Sequence, residues 1–460
     1  MINNNIKKYA ILLAMLFVVF TVNAQVYRTG YFLKGNSYRD RLNPSLMPER
    51  GFATLLVGNT SMNLSTNLGL ADFIYDKGGQ LVTFMHPDVT ADEFLGRLNE
   101  NNNFNFDYDM TPVAIGFYAF GGYNTIDVGL HSRFGINLPK DLFYFMKVMG
   151  GYDYQLTNMN FFTRNYADIS IGHSHKINEN LTIGARLKFL AGLAYAELLM
   201  DKMEIGIHGD KWRINAQGGA AMSLMSMKFM YDEDGVVNGV DGFEPGLSGI
   251  GFGVDLGATY DFSKVLTKGL IVSASVTDIG YMKWRDVSRA GVSFDEPYEF
   301  KGFENVSFNQ NEGDATIGEQ LEQIGEDLAD LFQIKEVNGG DVTDFLGATL
   351  NIGVEYKMPF YDRLSVGALF THRFDRMYSC TTGSLMLNWS PLKFLDLVGS
   401  ASMSTLGYDW SALLNIHCSG FNIFVAADMF AGKVSKQYIP LHNMNASVMI
   451  GVNVPFGKKR

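Results

Sequence analysis

Apolar and polar residues alternate along much of the chain, most clearly in the stretch Asn180–Phe189, NLTIGARLKF. Every second residue from Leu181 onward is apolar, and Arg186 and Lys188 lie among the residues between them. Strict alternation predicts a strand with one apolar and one polar face. In a soluble sandwich the apolar face would be core. In a membrane barrel it would face lipid, and the polar face would line a lumen.

The same alternation recurs at 124–138, 251–261, 350–358 and 446–454. These segments predict strands of about 10 to 15 residues, longer than the usual strand of a soluble protein. Their polar positions are mostly Gly, Ser, Thr, Asn and Asp, which are small enough to pack in a lumen. Aromatic residues near the predicted strand ends are typical of the girdles at membrane interfaces. They are Tyr281, Trp284, Trp389, Tyr408 and Trp410.

Short turns between segments of similar length predict an up-and-down meander. We therefore predict an all-β fold, a transmembrane antiparallel up-and-down β-barrel of about 14–16 strands. Alternation of the turns, counted from a periplasmic C-terminus, places 231–247, 285–345 and 432–442 outside the cell. The same count places 176–180 and 208–211 on the periplasmic side.

Three segments depart from the strand pattern. Residues 25–51 are irregular and precede the barrel, which we assign to 52–460. A capping box from Thr90 to Glu93 predicts a short helix over 90–100. Apolar residues at helical spacing predict an amphipathic helical insert over 316–334.

The first residues, 1–24, have the pattern of a secretory signal peptide, with Lys7 and Lys8 before an apolar run and small residues up to Ala24. The pattern predicts export and, with the barrel, an outer-membrane location. The two cysteines, Cys380 and Cys418, fall near opposite ends of the predicted barrel, so we expect free thiols.

Composition narrows the class of protein. Charged residues make up 18% of the chain, below the usual share of about 25% in soluble domains. The net charge of −11 argues against nucleic acid as a partner. The mean hydropathy of +0.01 is too polar for a protein built of membrane helices.

Several stretches resemble an uncharacterised family of Bacteroidota outer-membrane barrels. They are the signal peptide, LNPSLMPERGF (42–52), GFGVDLGATYDF (251–262) and SVTDIGYMKW (275–284). That family is similar to the superfamily of long-chain fatty acid transporters, which also contains the type IX secretion shuttle barrel. The motifs are structural and carry no chemistry, so they imply a fold more than a substrate.

Fatty acid transporters have an Asn-Pro-Ala motif in an N-terminal segment that plugs the lumen. Asn43-Pro44-Ser45 stands at the matching place, so the resemblance implies that 25–51 is a plug. Outer-membrane proteins often end on an aromatic residue, whereas this chain has Phe456 four residues before its last residue. Ligand contacts would fall on the apolar residues around the motif. The candidates are Phe32, Leu33, Leu42, Asn43, Pro44, Leu46 and Met47.

Polar positions on the predicted strands give a set of lumen-facing candidates. They are Asp127, His131, Arg133, Arg186, Lys188, Asp255 and Glu355. Asp127 and His131 share a strand face, but residues four apart on a strand are separated by about 13 Å, too far for direct hydrogen bonding. His173 and His175 share a face too, and without further ligands they predict interfacial histidines and no zinc site. No catalytic motif, metal site or cofactor is predicted.

Three functions remain open. The first is transport of hydrophobic or amphipathic small molecules, with an apolar pocket behind the plug. The second is a protein-handling barrel for secretion or surface attachment, whose partner would be a secreted or periplasmic protein docking on the acidic segments 231–246 and 294–332. The third is an outer-membrane enzyme, for which no residue is nominated, so we expect no enzyme. In each case outer-membrane lipid surrounds the wall.

Overall fold

The structure, a computed structural model, describes residues 28–458 apart from 149–152, 209–210, 225–226, 232–236, 243–245, 294–334, 376–378, 406 and 431–443. The described chain contains twenty strands: β1 (Gly51–Thr66), β2 (Ile74–Lys77), β3 (Gln80–Thr83), β4 (Asn101–Ala119), β5 (Gly122–Pro139), β6 (Asp153–Lys176), β7 (Leu181–His208), β8 (Lys211–Leu224), β9 (Lys228–Tyr231), β10 (Val237–Asp241), β11 (Gly249–Asp261), β12 (Leu270–Ser293), β13 (Lys335–Phe345), β14 (Thr349–Lys357), β15 (Leu364–Arg373), β16 (Cys380–Leu392), β17 (Leu395–Ser404), β18 (Gly407–His417), β19 (Asn422–Phe430) and β20 (Met444–Phe456).

Fourteen of these strands close into an antiparallel barrel. The ring runs β1-β4-β5-β6-β7-β11-β12-β14-β15-β16-β17-β18-β19-β20, and β20 pairs back with β1. Closure satisfies the backbone of every wall strand and leaves no edge. The predicted fold class and strand number are confirmed.

The alternation in the sequence matches the two faces of the wall. In β7, Ile183, Leu187 and Phe189 point outward and are exposed, whereas Arg186 between them points into the lumen and is 2% exposed. The outward apolar side chains repeat around the ring, among them Leu256, Ile352, Leu385 and Val425. The apolar face of each wall strand is therefore the outward one and the polar face lines the lumen, as expected for a membrane barrel and not for a soluble sandwich.

The predicted side of one turn, 208–211, is wrong. β7 is a single strand of 28 residues, so the turns at 176–180 and 208–211 lie at opposite ends of the barrel and cannot share the periplasmic side.

We call the end of the barrel where Gly51 pairs with Phe456 the near rim. The opposite end is the far rim. Long strands β6, β7 and β12 extend beyond their neighbours toward the far rim, where β8 and β13 pair with them.

A small cap covers part of the far rim. It consists of helices α1 (Leu70–Phe73), α2 (Ala91–Leu95) and α3 (Lys140–Val148) with the β2–β3 hairpin, packed on β6 and β7. The predicted capping box is present, since the Thr90 hydroxyl accepts a hydrogen bond from the Glu93 backbone N–H at 3.1 Å. Among the described residues, no helix has the length and apolarity to cross a bilayer.

Two further predictions concern single side chains. Trp284 is wrong as a girdle residue, because it is fully buried and stacks on Tyr195 with ring centroids 5.1 Å apart. Cys380 and Cys418 are free, as expected. The predicted helix at 316–334 and signal peptide at 1–24 lie outside the described residues.

Candidate functional site in the barrel lumen

Residues 28–50, which we call the N-terminal segment, fill the lumen on the near-rim side. Tyr31 donates to or accepts from the Ser273 hydroxyl at 3.0 Å, and Tyr38 donates to the Val452 carbonyl at 3.3 Å. Apolar side chains of the segment are buried against inward-facing residues of the wall, such as Leu369, Met386 and Phe424. The buried set is Tyr31, Phe32, Leu33, Tyr38, Leu42 and Leu46.

The Asn43-Pro44-Ser45 turn lies against a part of the wall that lacks side chains. Gly184 and Gly257 face it, and a Cβ at either position would overlap Pro44 or Asn43. These glycines therefore permit the backbone of the segment to approach the wall closely. Asn43 donates to Tyr31 Oη at 2.9 Å and to the Ala274 carbonyl at 3.3 Å.

Hydroxyl groups complete this anchor. The Ser45 and Thr259 hydroxyls are 2.6 Å apart, and Ser174 on β6 donates to the Pro44 carbonyl. Ser275 donates to the Leu42 carbonyl at 2.7 Å. Ser45, which stands where the resembled motif has Ala, thus supplies a contact with the wall.

The ligand role predicted for the residues around this motif stays a prediction. In this conformation Phe32, Leu33, Leu42 and Leu46 are packed against the wall, with Met47 at the edge of their cluster.

Charged groups join the segment to the wall deeper in the lumen. Arg186 on β7 lies 2.5 Å from Asp40 and 3.3 Å from Asp127. Arg41 of the segment binds the same Asp127 at 2.9 Å. All four side chains are largely buried. Two arginines and two aspartates therefore form one closed cluster in which each charge has an opposite neighbour.

Above the segment, a second set of ion pairs joins inward-facing side chains of neighbouring wall strands. His131 lies between Asp109, 2.5 Å from Nδ1, and Asp168, 2.6 Å from Nε2. Its ring also stacks on Tyr166. Arg133 on the same strand binds Asp109 at 2.8 Å.

The chain of pairs continues across the barrel. Arg373 on β15 lies 2.9 Å from Asp107 on β4 and 3.2 Å from Asp375, which lies 3.4 Å from Arg164 on β6. We call the whole set the transverse network, and it crosses the lumen at the level of Arg373, the last residue of β15. Its members are Asp107, Asp109, His131, Arg133, Arg164, Asp168, Asp344, Arg373 and Asp375.

A bulge in β12 supplies one further anion. Asp278 has a positive φ of 59°, and its backbone N–H donates to Asp255 at 2.7 Å. Lys188 binds both carboxylates, Asp278 at 2.6 Å and Asp255 at 2.9 Å. The bulge turns the Asp278 carboxylate into the lumen, as bulges commonly re-aim a side chain.

A cavity of about 120 Å³ separates the N-terminal segment from the transverse network. Its lining includes Arg41, Arg133, Lys188 and Asp278. A space of this size holds a few water molecules. Passage of anything larger requires movement of the segment, of the network or of both.

Six of the seven lumen-facing candidates meet around this cavity. Asp127, His131, Arg133, Arg186, Lys188 and Asp255 lie in or beside it, whereas Glu355 lies toward the near rim and accepts from Ser365 at 2.8 Å. The sequence reasoning missed the acidic partners Asp107 and Asp109. Their signal was present, because "FDYDM" alternates in the same way. Asp278 gave no such signal, since a bulge is not visible as alternation.

The match to a family model covers residues 44–428, and the family is described as a family of unknown function, DUF5723. The chain belongs to this family. The predicted membership in an uncharacterised barrel family is confirmed. Among curated proteins, the sequence has no match.

Solved structures of similar architecture align over most of the chain at low identity. The P. putida toluene transporter TodX is 10% identical with a TM-score of 0.41, covering 96% of each chain. The Ralstonia pickettii toluene transporter TbuX is 11% identical with a TM-score of 0.43, covering 91% of this chain and 94% of that one. A Pseudomonas aeruginosa FadL homologue is 11% identical with a TM-score of 0.42, covering 90% and 91%.

Proposed function

We propose that the protein is an outer-membrane barrel that passes a small amphipathic molecule through its lumen when the N-terminal segment moves. One observation carries the proposal. The backbone N–H groups of Tyr31, Leu33, Leu42 and Leu46 donate to carbonyls within the segment, and its contacts with the wall are made by side chains. A segment attached in this way can leave the lumen without opening a β-ladder.

The chemistry along the lumen supports an amphipathic cargo. The far-rim cap is rich in Phe and Met, and Met side chains adapt to apolar ligands of varied shape. The transverse network and the cavity below it are polar and charged. A molecule with an apolar chain and a polar head would find a matching surface in each part. A purely hydrophobic cargo would have to displace the charges without replacing their contacts.

The outer-membrane location and the non-enzymatic role belong to the same proposal. The wall presents outward apolar side chains around the ring, as a barrel in lipid requires. Among the described residues, no three His, Cys, Asp or Glu side chains are grouped to hold a metal ion. The charged groups of the lumen bind one another, which suits a closed gate.

A reversible cross-link tests the movement of the segment. In a protein with both native cysteines replaced by Ser, we would introduce Ser45→Cys and Thr259→Cys, whose hydroxyls lie 2.6 Å apart. Uptake of a fluorescent fatty acid into proteoliposomes should stop when the disulfide forms and return on reduction. Deleting 28–50 should instead make the barrel leak to ions.

The matched control places the same pair within the wall. Ser400→Cys with Ser411→Cys joins paired residues of β17 and β18, so oxidation should leave uptake unchanged. Equal uptake by the oxidised and reduced Ser45–Thr259 variant would contradict the proposal. The cross-linked protein keeps every element of the fold, so this result does not depend on whether the deletion variant folds.

A protein-handling barrel remains the second candidate. It rests on the acidic segments 231–246 and 294–332, most of which lie outside the described residues. Deleting 300–340 should abolish such a role and leave passage through the lumen intact.

A further inference from the structure

A second pocket lies at the near rim, between the N-terminal segment and strands β14 to β18. Its volume is about 530 Å³, and it is separate from the cavity under the transverse network. Lys34 enters it from the segment and Lys357 from the end of β14. Arg363 and Lys393 stand at its rim.

These four cations differ from those of the lumen in lacking a direct ion pair, although the charge of the nearby Glu355 carboxylate acts on Lys34. Among the described residues, no carboxylate lies within ion-pair distance of Lys34, Lys357, Arg363 or Lys393. The buried carboxylates of the pocket are already bound. Glu355 accepts from Ser365 at 2.8 Å, and Asp396 accepts from Ser390 and Asn415 and lies 3.0 Å from His417.

Lys34 and Lys357 lie side by side. Withdrawal of the Lys34 ammonium from bulk water, and next the neighbouring Lys357 ammonium, lower the pKa of Lys34 to about 8. Two like charges in contact cost free energy that an anion placed between them would recover. Elsewhere in the lumen the chain itself supplies such anions, as it does for Lys188, which lies between Asp255 and Asp278.

The other side of the pocket is apolar. Phe32 and Leu33 contribute from the segment, and Leu364 and Leu392 from the wall. Glu49 and Asp362 also line the pocket, so its four carboxylates equal its four cations in number, and the feature that favours an anion is the adjacent pair Lys34 and Lys357. A ligand that fits both sides has a compact anionic head and an apolar part.

We propose that this near-rim pocket binds a phosphate group between the ammonium groups of Lys34 and Lys357, with the apolar side receiving the hydrocarbon part of a phosphate ester. A phosphate monoester has up to two negative charges and three terminal oxygens, which match two adjacent ammonium donors. The site exists in the closed conformation. Binding there does not require that the N-terminal segment move or that the barrel transport anything.

Calorimetric titration of the full-length protein in a neutral detergent tests the site. The probes are dihexanoyl phosphatidic acid, inorganic phosphate and dihexanoylglycerol, which lacks the phosphate. Phosphatidic acid should bind most tightly, inorganic phosphate more weakly, and dihexanoylglycerol not measurably. Inorganic phosphate binding as tightly as the lipid would overturn the apolar half of the proposal and identify free phosphate as the ligand.

Two variants and a control assign the binding to the lysine pair. Lys34→Gln and Lys357→Gln should each weaken phosphatidic acid binding about tenfold or more, the loss expected for a charge-assisted contact. Lys264→Gln removes a near-rim cation that pairs with Glu179 outside the pocket, and it should leave binding unchanged.

A conservative variant separates a lost ligand contact from a damaged fold. Lys357→Arg keeps the charge and should keep most of the affinity. Unchanged binding by the Lys34→Gln, Lys357→Gln double variant would overturn the proposal, as would equal losses in Lys357→Arg and Lys357→Gln. Because the measurement is made on the closed protein, failure of the cross-linking experiment would leave this result unaffected.

Discussion

Arg373 and Asp107 form an ion pair of 2.9 Å although their strands, β15 and β4, are seven positions apart in the ring in either direction. In a ring of fourteen strands this is the greatest possible separation. The pair therefore spans the lumen. Side chains of the wall itself thus cross the lumen at the level of Arg373, in addition to the N-terminal segment below them.

Arg373→Ala should weaken the barrier that the transverse network forms across the lumen. The change leaves Asp107 without its partner across the lumen, although Arg133 still lies 3.5 Å away. Breaking a largely buried pair costs about 3 kcal/mol of unfolding free energy. We expect that loss in a denaturant titration and a higher ion conductance in planar bilayers, most clearly when 28–50 is also deleted.

The partner residue and a surface pair provide the controls. Asp107→Ala should raise the conductance as Arg373→Ala does if the pair itself closes the lumen. Lys202→Ala removes an exposed pair with Glu204 and should change neither conductance nor stability. In the protein that lacks 28–50, equal conductance with and without Arg373→Ala would show that the transverse network is not a barrier.

Gly184→Ala should displace the N-terminal segment. The new Cβ would overlap Pro44, and Gly257→Ala would meet Asn43 in the same way. Overpacking of this kind costs about 1–3 kcal/mol. We expect a lower unfolding temperature and faster proteolysis within 28–50. Gly383→Ala, a wall position where a Cβ meets nothing within 4 Å, should show neither effect.

Lys34 should make stability depend on pH in an unusual direction. Its pKa is lowered to about 8, from an ordinary value of 10.5, by burial and by Lys357. Below pH 8 Lys34 is charged in both the folded and the unfolded chain. The folded chain then bears the full free-energy cost of holding this charge beside Lys357. Between pH 8 and 10.5 the folded chain loses the proton first, so the stability of the native protein should rise relative to that of Lys34→Gln.

Thermal unfolding at closely spaced pH values checks this expectation. The difference in unfolding temperature between the native protein and Lys34→Gln should shrink as pH rises through 8 to 10.5. Saturating phosphate should move the change to higher pH, because a bound anion favours the charged lysine. A difference that is constant over this range would mean that Lys34 is not perturbed.

Alternation was sufficient to predict the inner face of the wall, and strand length and the small polar residues between the apolar ones favoured a barrel over a sandwich. Arg186 and Lys188 lie in the lumen because every second residue of β7 must face it. Their partners could not be predicted from spacing along one strand, since His131 binds Asp109 and Asp168 on neighbouring strands and not Asp127 on its own. Pairing across the lumen depends on the number and register of all fourteen strands, which a single strand does not encode.

Trp284 shows the same limit in an aromatic residue. The sequence places it near a strand end, as it does Trp389 and Trp410, but β12 extends beyond the lipid-facing wall and β8 pairs alongside it. Its ring therefore points inward against Tyr195. A girdle position requires the correct face of the strand as well as the correct height.

Three of the four tryptophans give a direct test of where lipid meets the wall. Trp389 is 43% exposed near the near rim, Trp410 is 66% exposed toward the far rim, and Trp284 is fully buried. In single-tryptophan variants reconstituted with brominated lipid, the fluorescence of Trp389 and Trp410 should be strongly quenched and that of Trp284 should be nearly unaffected. Quenching of Trp284 as strong as that of Trp410 would mean that the ring faces lipid after all. Protection of Trp389 and Trp410 would instead mean that both lie outside the bilayer, which would require a shorter membrane-spanning wall than the exposed apolar residues indicate.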